Sequence, residues 1–466
     1  MVKFAAEQLH SESMISGRAD IFGQRAAGAV AAWLCLLLAL PPRAGADADK
    51  TVTLAEDWSL HGQSTLVWQA NPGFHADFSG PNSLTPQSQD KETFDFTLFL
   101  GARLWRNLAF YANPEIDQGY GLSNTLGVAG FPSAEAYKVG EYHPYYRMPR
   151  AFFRYVQDLG GEVETDAPAA NQLAGSHTHD NLTITFGKFG VPDVFDTNKY
   201  AHDPRGDFLN WTIIESGAFD YAADAWGFSY GATAEWTQSW WTLRAGLFDL
   251  SRQPNSTEMT RGLGQFQMVA EAEERHELWK QPGSVKLLLF DNRGKMGSYG
   301  DAVALGEQTG STPSTALVRR FNSRPGGGIN VQQQITAELG AFLRASINDG
   351  QEEAFEFTDV NQSLSAGLSL QGNRWGRAND TVGVAGVINA IDRPARQYFA
   401  AGGLGILVGD GALPRYGPEK ILETYYNVYL AEWANVAVDY QFIDSPGYNP
   451  ERGPVSVFGL RLHAEF

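Results

Sequence analysis

From about residue 55 onward, apolar and polar side chains alternate with a period of two, the repeat of a strand with two unlike faces. Phe94, Phe96, Leu98, Leu100, Ala102 and Leu104 share one face. Asp95, Thr97, Phe99, Gly101, Arg103 and Trp105 share the other. Trp226, Phe228, Tyr230, Ala232, Ala234 and Trp236 repeat the pattern against Gly227, Ser229, Gly231, Thr233 and Glu235. Helix-period faces are hard to find in the same region. The pattern predicts about sixteen strands. They start near Trp58, Phe94, Leu108, Pro149, Asn181, Trp226, Trp241, Gln265, Ser284, Gly327, Glu338, Asn361, Asp380, Lys420, Ala434 and Val455. Most run for about 10–12 residues, the length a tilted strand needs to cross a bilayer.

The connections alternate too. Those at one end are short, such as Arg106-Asn107 and Glu432-Trp433. Those at the other are long: 72–93, 120–147, 191–225, 294–326 and 392–419. Short turns at one end and long loops at the other is the pattern of an outer-membrane barrel. The stretch 159–180 is the exception on the short side and reads as an insertion. A lipid-facing sheet leaves no edge unpaired, so the strands are expected to close. Trp105, Trp226, Trp236, Trp240, Trp241 and Trp433 fall at or near strand ends, where aromatic girdles belong. The fold class is therefore all-β: a transmembrane antiparallel β-barrel of about 16 strands.

The first 46 residues break the pattern. Arg18 and Arg25 precede the uncharged apolar run 26–40, and Ala44-Gly45-Ala46 follows. That is a positive region, an apolar region and an A-x-A site, so 1–46 reads as a signal peptide and 47–466 as the barrel domain. The start codon is Met1 or Met14.

Composition narrows the function. Charged residues are 19% of the 466, and the net charge is −18. That excess of acid argues against nucleic acid as a partner, because phosphate binding needs clustered positive charge. The one cysteine, Cys35, lies in the apolar run, so neither an intrachain disulfide nor a Cys-based metal site is expected. No cofactor is implied, since Walker, zincin and dinucleotide motifs are missing. Gly227–Gly231 matches G-x-S-x-G, but the alternation runs straight through Ser229 where a nucleophile elbow needs a sharp strand-to-helix turn. The chain is not expected to be an enzyme.

Phe458, Leu460, Leu462, Ala464 and Phe466 form one face of the last strand. A final aromatic residue on such a strand resembles the terminal signal of bacterial outer-membrane proteins, which implies the barrel assembly machinery as a partner through Phe466. Longer stretches resemble the carbohydrate-selective porins of Gram-negative outer membranes. They are 182–189 with Asp193, Phe195-Asp196-Thr197-Asn198, Tyr200, Asp203-Pro204-Arg205 and Phe208-Leu209-Asn210-Trp211, then 217–224, 423–427 and 459–466. The resemblance implies an outer-membrane location, outer-membrane lipid around the barrel, and passive uptake of glucose-type sugars. Trimers are common among porins, so a homotrimer is compatible with it, although no residue marks an assembly surface.

The third long loop, 191–225, is expected to fold inward and narrow the lumen. Its candidate sugar contacts are Asp193, Asp196, Asn198, Tyr200, Asp203, Arg205, Asp207 and Trp211. Carboxylates and guanidinium groups supply strong charge-assisted hydrogen bonds to hydroxyls, and an aromatic ring can stack on the apolar face of a pyranose. Parity places Arg103, Arg154, Arg244, Arg344, Arg461, Glu235 and Asp439 on the pore wall, because an arginine facing lipid at midplane costs about 2–4 kcal/mol. Asp196, Asp203 and Asp207 could together hold a calcium ion, with plain hydrogen bonding as the simpler reading. The competing functions are a general-diffusion or ion-selective porin, a barrel enzyme, and a plugged adhesive barrel.

Overall fold

The computed structural model describes residues 55–137 and 140–466. The export signal predicted over 1–46 lies outside the described residues. Sixteen strands follow one another: β1 (Trp58–Asn71), β2 (Gln89–Trp105), β3 (Leu108–Gly119), β4 (Glu141–Asp166), β5 (Gly175–Phe189), β6 (Ser229–Gln238), β7 (Trp241–Asp249), β8 (Phe266–Leu278), β9 (Gln281–Met296), β10 (Arg320–Gln334), β11 (Leu339–Asn348), β12 (Gln362–Gly372), β13 (Arg377–Ala390), β14 (Glu419–Ala431), β15 (Ala434–Asp444) and β16 (Val455–Glu465). Each pairs antiparallel with its sequence neighbours. β1 also pairs with β16, from Gln63↔Glu465 to Ala70↔Phe458, and closes the barrel. Every predicted strand is present.

The main differences lie at strand ends. β4 begins eight residues before Pro149, at Glu141. Pro114 and Pro149 sit where the β3–β4 register shifts between Asn113 and Glu115, so the missing amide hydrogens fall where the ladder is already interrupted. The stretch 159–180 is mostly a continuation of β4 and β5, which stay paired out to Asp166↔Gly175. Only 167–174 forms the turn.

The outer face carries large exposed apolar residues such as Leu100, Leu289, Val438 and Phe458. Trp58, Trp105, Trp236, Trp240 and Trp279 are exposed near strand ends. Trp226 is a correction. It precedes β6, and the Arg147 guanidinium lies 5.6 Å from its ring centre, so it belongs to the interior and not to a girdle. Phe228 is likewise buried, with the Arg150 guanidinium 4.9 Å above its ring. Both follow the alternation of β6 only on paper, because Asp224 accepts their backbone amides and holds them in a turn.

At the long-loop end, helices Tyr299–Thr309 and Arg393–Ala400 pack together, with Tyr299 and Tyr398 rings 5.1 Å apart. The Tyr299 hydroxyl donates to Asp359 (2.5 Å) and Tyr448 to the Asp359 carbonyl (2.6 Å), tying four long loops into a cap.

Candidate functional site

The loop between β5 and β6, residues 190–228, folds into the barrel and is fastened along its far wall. Arg344 of β11 is its main clamp. Its guanidinium donates to the carbonyls of Asp196 (3.0 Å), Ala201 (2.8 Å) and Ile213 (3.0 Å), and reaches the Asp196 carboxylate at 3.3 Å. Asp196 also accepts from Ser216 N (2.6 Å) and Asn330 Nδ2 (2.8 Å). Glu423 of β14 accepts from Leu209 N (2.5 Å) and Asn210 N (3.1 Å). Arg461 of β16 donates to the carbonyls of Pro204 (2.6 Å) and Asp207 (2.7 Å). Buried loop backbone needs such partners, and here the wall side chains supply them.

The loop is therefore pressed to one side, and open space remains toward β1–β6. Arg150 of β4 forms a two-point ion pair with Asp193 (2.6 and 2.7 Å). Arg205 lies near Glu135 (3.7 Å), Asp203 (3.8 Å) and Asp95 (4.0 Å). These groups form a charged narrowing. On its long-loop side is a cavity of about 230 Å³, walled by Phe131, Trp211, Tyr221, Trp226, Phe228 and Phe357, among others. Phe131 and Trp211 stack at 5.1 Å with 16° between their planes. On its short-turn side is a cavity of about 380 Å³. Both cavities are lined by Arg150, Asp193, His202, Asp203 and Arg205, so the narrowing is the boundary between them.

Burial and charge set the ionisation of the loop. Burial alone would raise the Asp193 and Asp203 carboxyls, but Arg150 and Arg205 hold them below the ordinary carboxylate range. Burial, reinforced by Asp203, pushes Asp207 up to about 6. Burial pushes Glu215 up to about 8, so it is neutral at pH 7. Burial lowers His202, which is neutral too. The acidic count of the loop thus overstates its field.

The predicted contacts separate into two groups. Asp193, Asp203, Arg205 and Trp211 line the cavities. Asp196 and Asn198 are wall anchors; Asn198 donates to Asn330 Oδ1 (2.7 Å). Asp207 accepts from the amides of His202 (3.0 Å) and Asp203 (3.2 Å). Tyr200 lies flat on Gly340, where a β-carbon would come within 2.0 Å of its ring. Asp196 bonds to the β10–β11 wall and Asp207 to its own loop, so their partners differ from those of a shared cation site.

The seven predicted wall residues point inward, and most are engaged. Arg344 and Arg461 are sealed behind the loop. Arg244 pairs with Glu235 (3.0 Å), Glu271 (2.8 Å) and Glu273 (2.8 Å). Asp439 accepts from Gln441 (3.2 Å). Arg103 and Arg154 reach the 167–174 turn, donating to the carbonyls of Ala174 (3.0 Å) and Asn171 (2.9 Å). Arg150, Glu135, Asp95 and His202 were not among the predicted residues. Arg150 shares the inward parity of Arg154, so alternation alone could have found it. Glu135 comes from the second long loop and carries no such signal. Ser229 donates to the Asp249 carbonyl (2.5 Å) within the β-sheet, without the turn a nucleophile elbow needs.

A membrane-sized closed barrel narrowed by an inward loop defines a porin-type channel. The model of the carbohydrate-selective porin, OprB family, matches residues 81–466, and the chain belongs to that family. It is a carbohydrate channel of the outer membrane. Porin B of Pseudomonas aeruginosa (strain PAO1) is 24% identical over 346 residues, covering 67% of this chain and 70% of that protein. The high-pH structure of Pseudomonas putida OprB has the same fold, with a TM-score of 0.67 and 17% identity over 88% of this chain and 94% of that one.

Proposed function

We propose that the channel passes glucose-type mono- and oligosaccharides by facilitated diffusion and selects them at the Arg150–Asp193 and Arg205 narrowing. The observation that carries this reading is the juxtaposition of that charged boundary with the partly exposed Trp226 ring, which lines the cavity beside it and is backed by the buried Phe131–Trp211 stack. A sugar has hydroxyls at its edge and C–H groups on its faces. The guanidinium and carboxylate groups replace water at the edge, and the aromatic wall takes up an apolar face. Because the charges are already paired, they present fixed donors and acceptors without drawing in a bare ion. Binding stays weak, about millimolar, so that the sugar leaves again.

The test is single-channel conductance of the purified protein in a planar bilayer, titrated with glucose and maltose. Saturable block is expected. Arg205→Ala removes charged donors and raises the half-blocking glucose concentration about tenfold, since a hydrogen bond to a charged group contributes about 1.5–3 kcal/mol. Steady conductance unaffected by either sugar would mean a general-diffusion pore. No conductance at all would favour a plugged barrel.

A further inference from the structure

The turn between β4 and β5, residues 167–174, folds back into the barrel where the other short-side connections are tight turns. It is pinned from several directions. Asn171 and Asn113 exchange amide hydrogen bonds (2.8 and 3.1 Å). Arg154 donates to the Asn171 carbonyl (2.9 Å), and Arg103 to that of Ala174 (3.0 Å). The Ala174 amide donates to the Glu56 carboxylate (2.9 Å), and the Glu56 amide to the Ala174 carbonyl (3.0 Å). Leu173 and Ala174 are buried. Asn171 takes a left-handed backbone, φ 55°, which asparagine tolerates and which reverses the chain. Such fixation gives the tip a single position in the lumen.

The tip closes the far side of the 380 Å³ cavity, which Asn171 and Gln172 line together with Arg154, Arg150 and Arg205. That volume lies within the ~300–1,000 Å³ of small-molecule sites. Thr185 lines it too, buried and with its hydroxyl unpartnered among the described residues. The Arg154 guanidinium is spread over the rings of Tyr111 (5.4 Å) and Phe152 (5.3 Å), an apolar and cationic floor in one.

We infer that the 167–174 tip builds a second saccharide subsite directly beyond the narrowing, so that the channel prefers a disaccharide whose two rings straddle Arg150 and Arg205 over a single hexose. The first ring occupies the narrowing as proposed above, and the inference rests on that reading. The second ring meets Asn171, Gln172 and Arg154.

Two variants test it. Asp166 and Gly175 are directly paired, so 167–174 can be replaced by Asn-Gly, whose two-residue turn fits an antiparallel pair at that point. Gln172→Trp instead fills the cavity and leaves the turn's backbone anchors in place. Conductance block is titrated with glucose and with maltose in the wild-type protein and both variants. The wild type is expected to be half-blocked by maltose at a concentration about fivefold or more below that for glucose, the gain of one further net hydrogen bond. In both variants the ratio falls to about one while the glucose value stays within about twofold. The shortened hairpin also conducts more ions. An unchanged maltose-to-glucose ratio in Gln172→Trp, or equal block by the two sugars in the wild type, overturns the second subsite and leaves the first standing. Absence of block by glucose itself would instead remove the first.

Discussion

Replacing Arg344 by alanine should loosen the inward loop where the arginine holds it, at Asp196, Ala201 and Ile213. The arginine is fully buried and has four acceptors there: three loop carbonyls and the Asp196 carboxylate. Removing one partner of a buried ion pair costs about 3–5 kcal/mol, because the remaining charge is left uncompensated. The three carbonyls cost about 1–3 kcal/mol each wherever water does not reach them. The lost ion pair alone, at the lower end of its range, sets a scale of about 3 kcal/mol. At 1.4 kcal/mol per factor of ten, the detached state gains roughly a hundredfold in population. Glu423 and Arg461 still hold residues 204–210, so release is local and the barrel stays closed. Single-channel recording should show a noisier open level with excursions to higher conductance. Arg344→Lys should rescue little, since an ammonium cannot reproduce the planar fork. A conductance and noise level equal to wild type in Arg344→Ala would refute the assignment of Arg344 as the clamp.

Three further outcomes follow from the same geometry. Glu215 is neutral below about pH 8 and gains a negative charge above it, so the cation-to-anion permeability ratio should rise as pH climbs from 7 to 9. Reversal potentials under a salt gradient read this change, and Glu215→Gln should abolish it. Arg205→Gln removes the positive charge facing Glu135, Asp203 and Asp95, and should shift selectivity toward cations at every pH when measured the same way. On the outside, Leu289→Arg places a cation on the lipid face of β9, where the residue is 67% exposed, and should cost about 2–4 kcal/mol in a lipid-vesicle folding titration.

Much of the barrel is legible in the chain because strand parity has only two outcomes and lipid enforces one of them. Arg103, Arg154, Arg244, Arg344 and Arg461 could be turned inward from sequence alone for that reason. What parity could not tell is whether an inward arginine meets water or the loop. That depends on partners more than a hundred residues away, such as Asp196 for Arg344. Trp226 failed for a related reason: the turn at Asp224 stops the strand, although the alternation continues. The inward course of 167–174 was also hidden, since its anchors, Glu56, Asn113 and Arg154, come from separate parts of the chain. Trp211 and Arg205 were found through a resemblance in short motifs, whereas Glu135 belongs to no such motif.

The seam between β1 and β16 bears on how the protein is made. Its register joins Gln63 to Glu465, so the first strand of the barrel waits for the last before its free edge is covered. Until then both edges present unpaired amides and carbonyls, open to wrong partners. A ribosome delivers those edges at opposite ends of synthesis, so the cylinder cannot be completed as the chain emerges. Closure is therefore post-translational, and its slow step is the most non-local pairing in the chain, the meeting of two strands about four hundred residues apart.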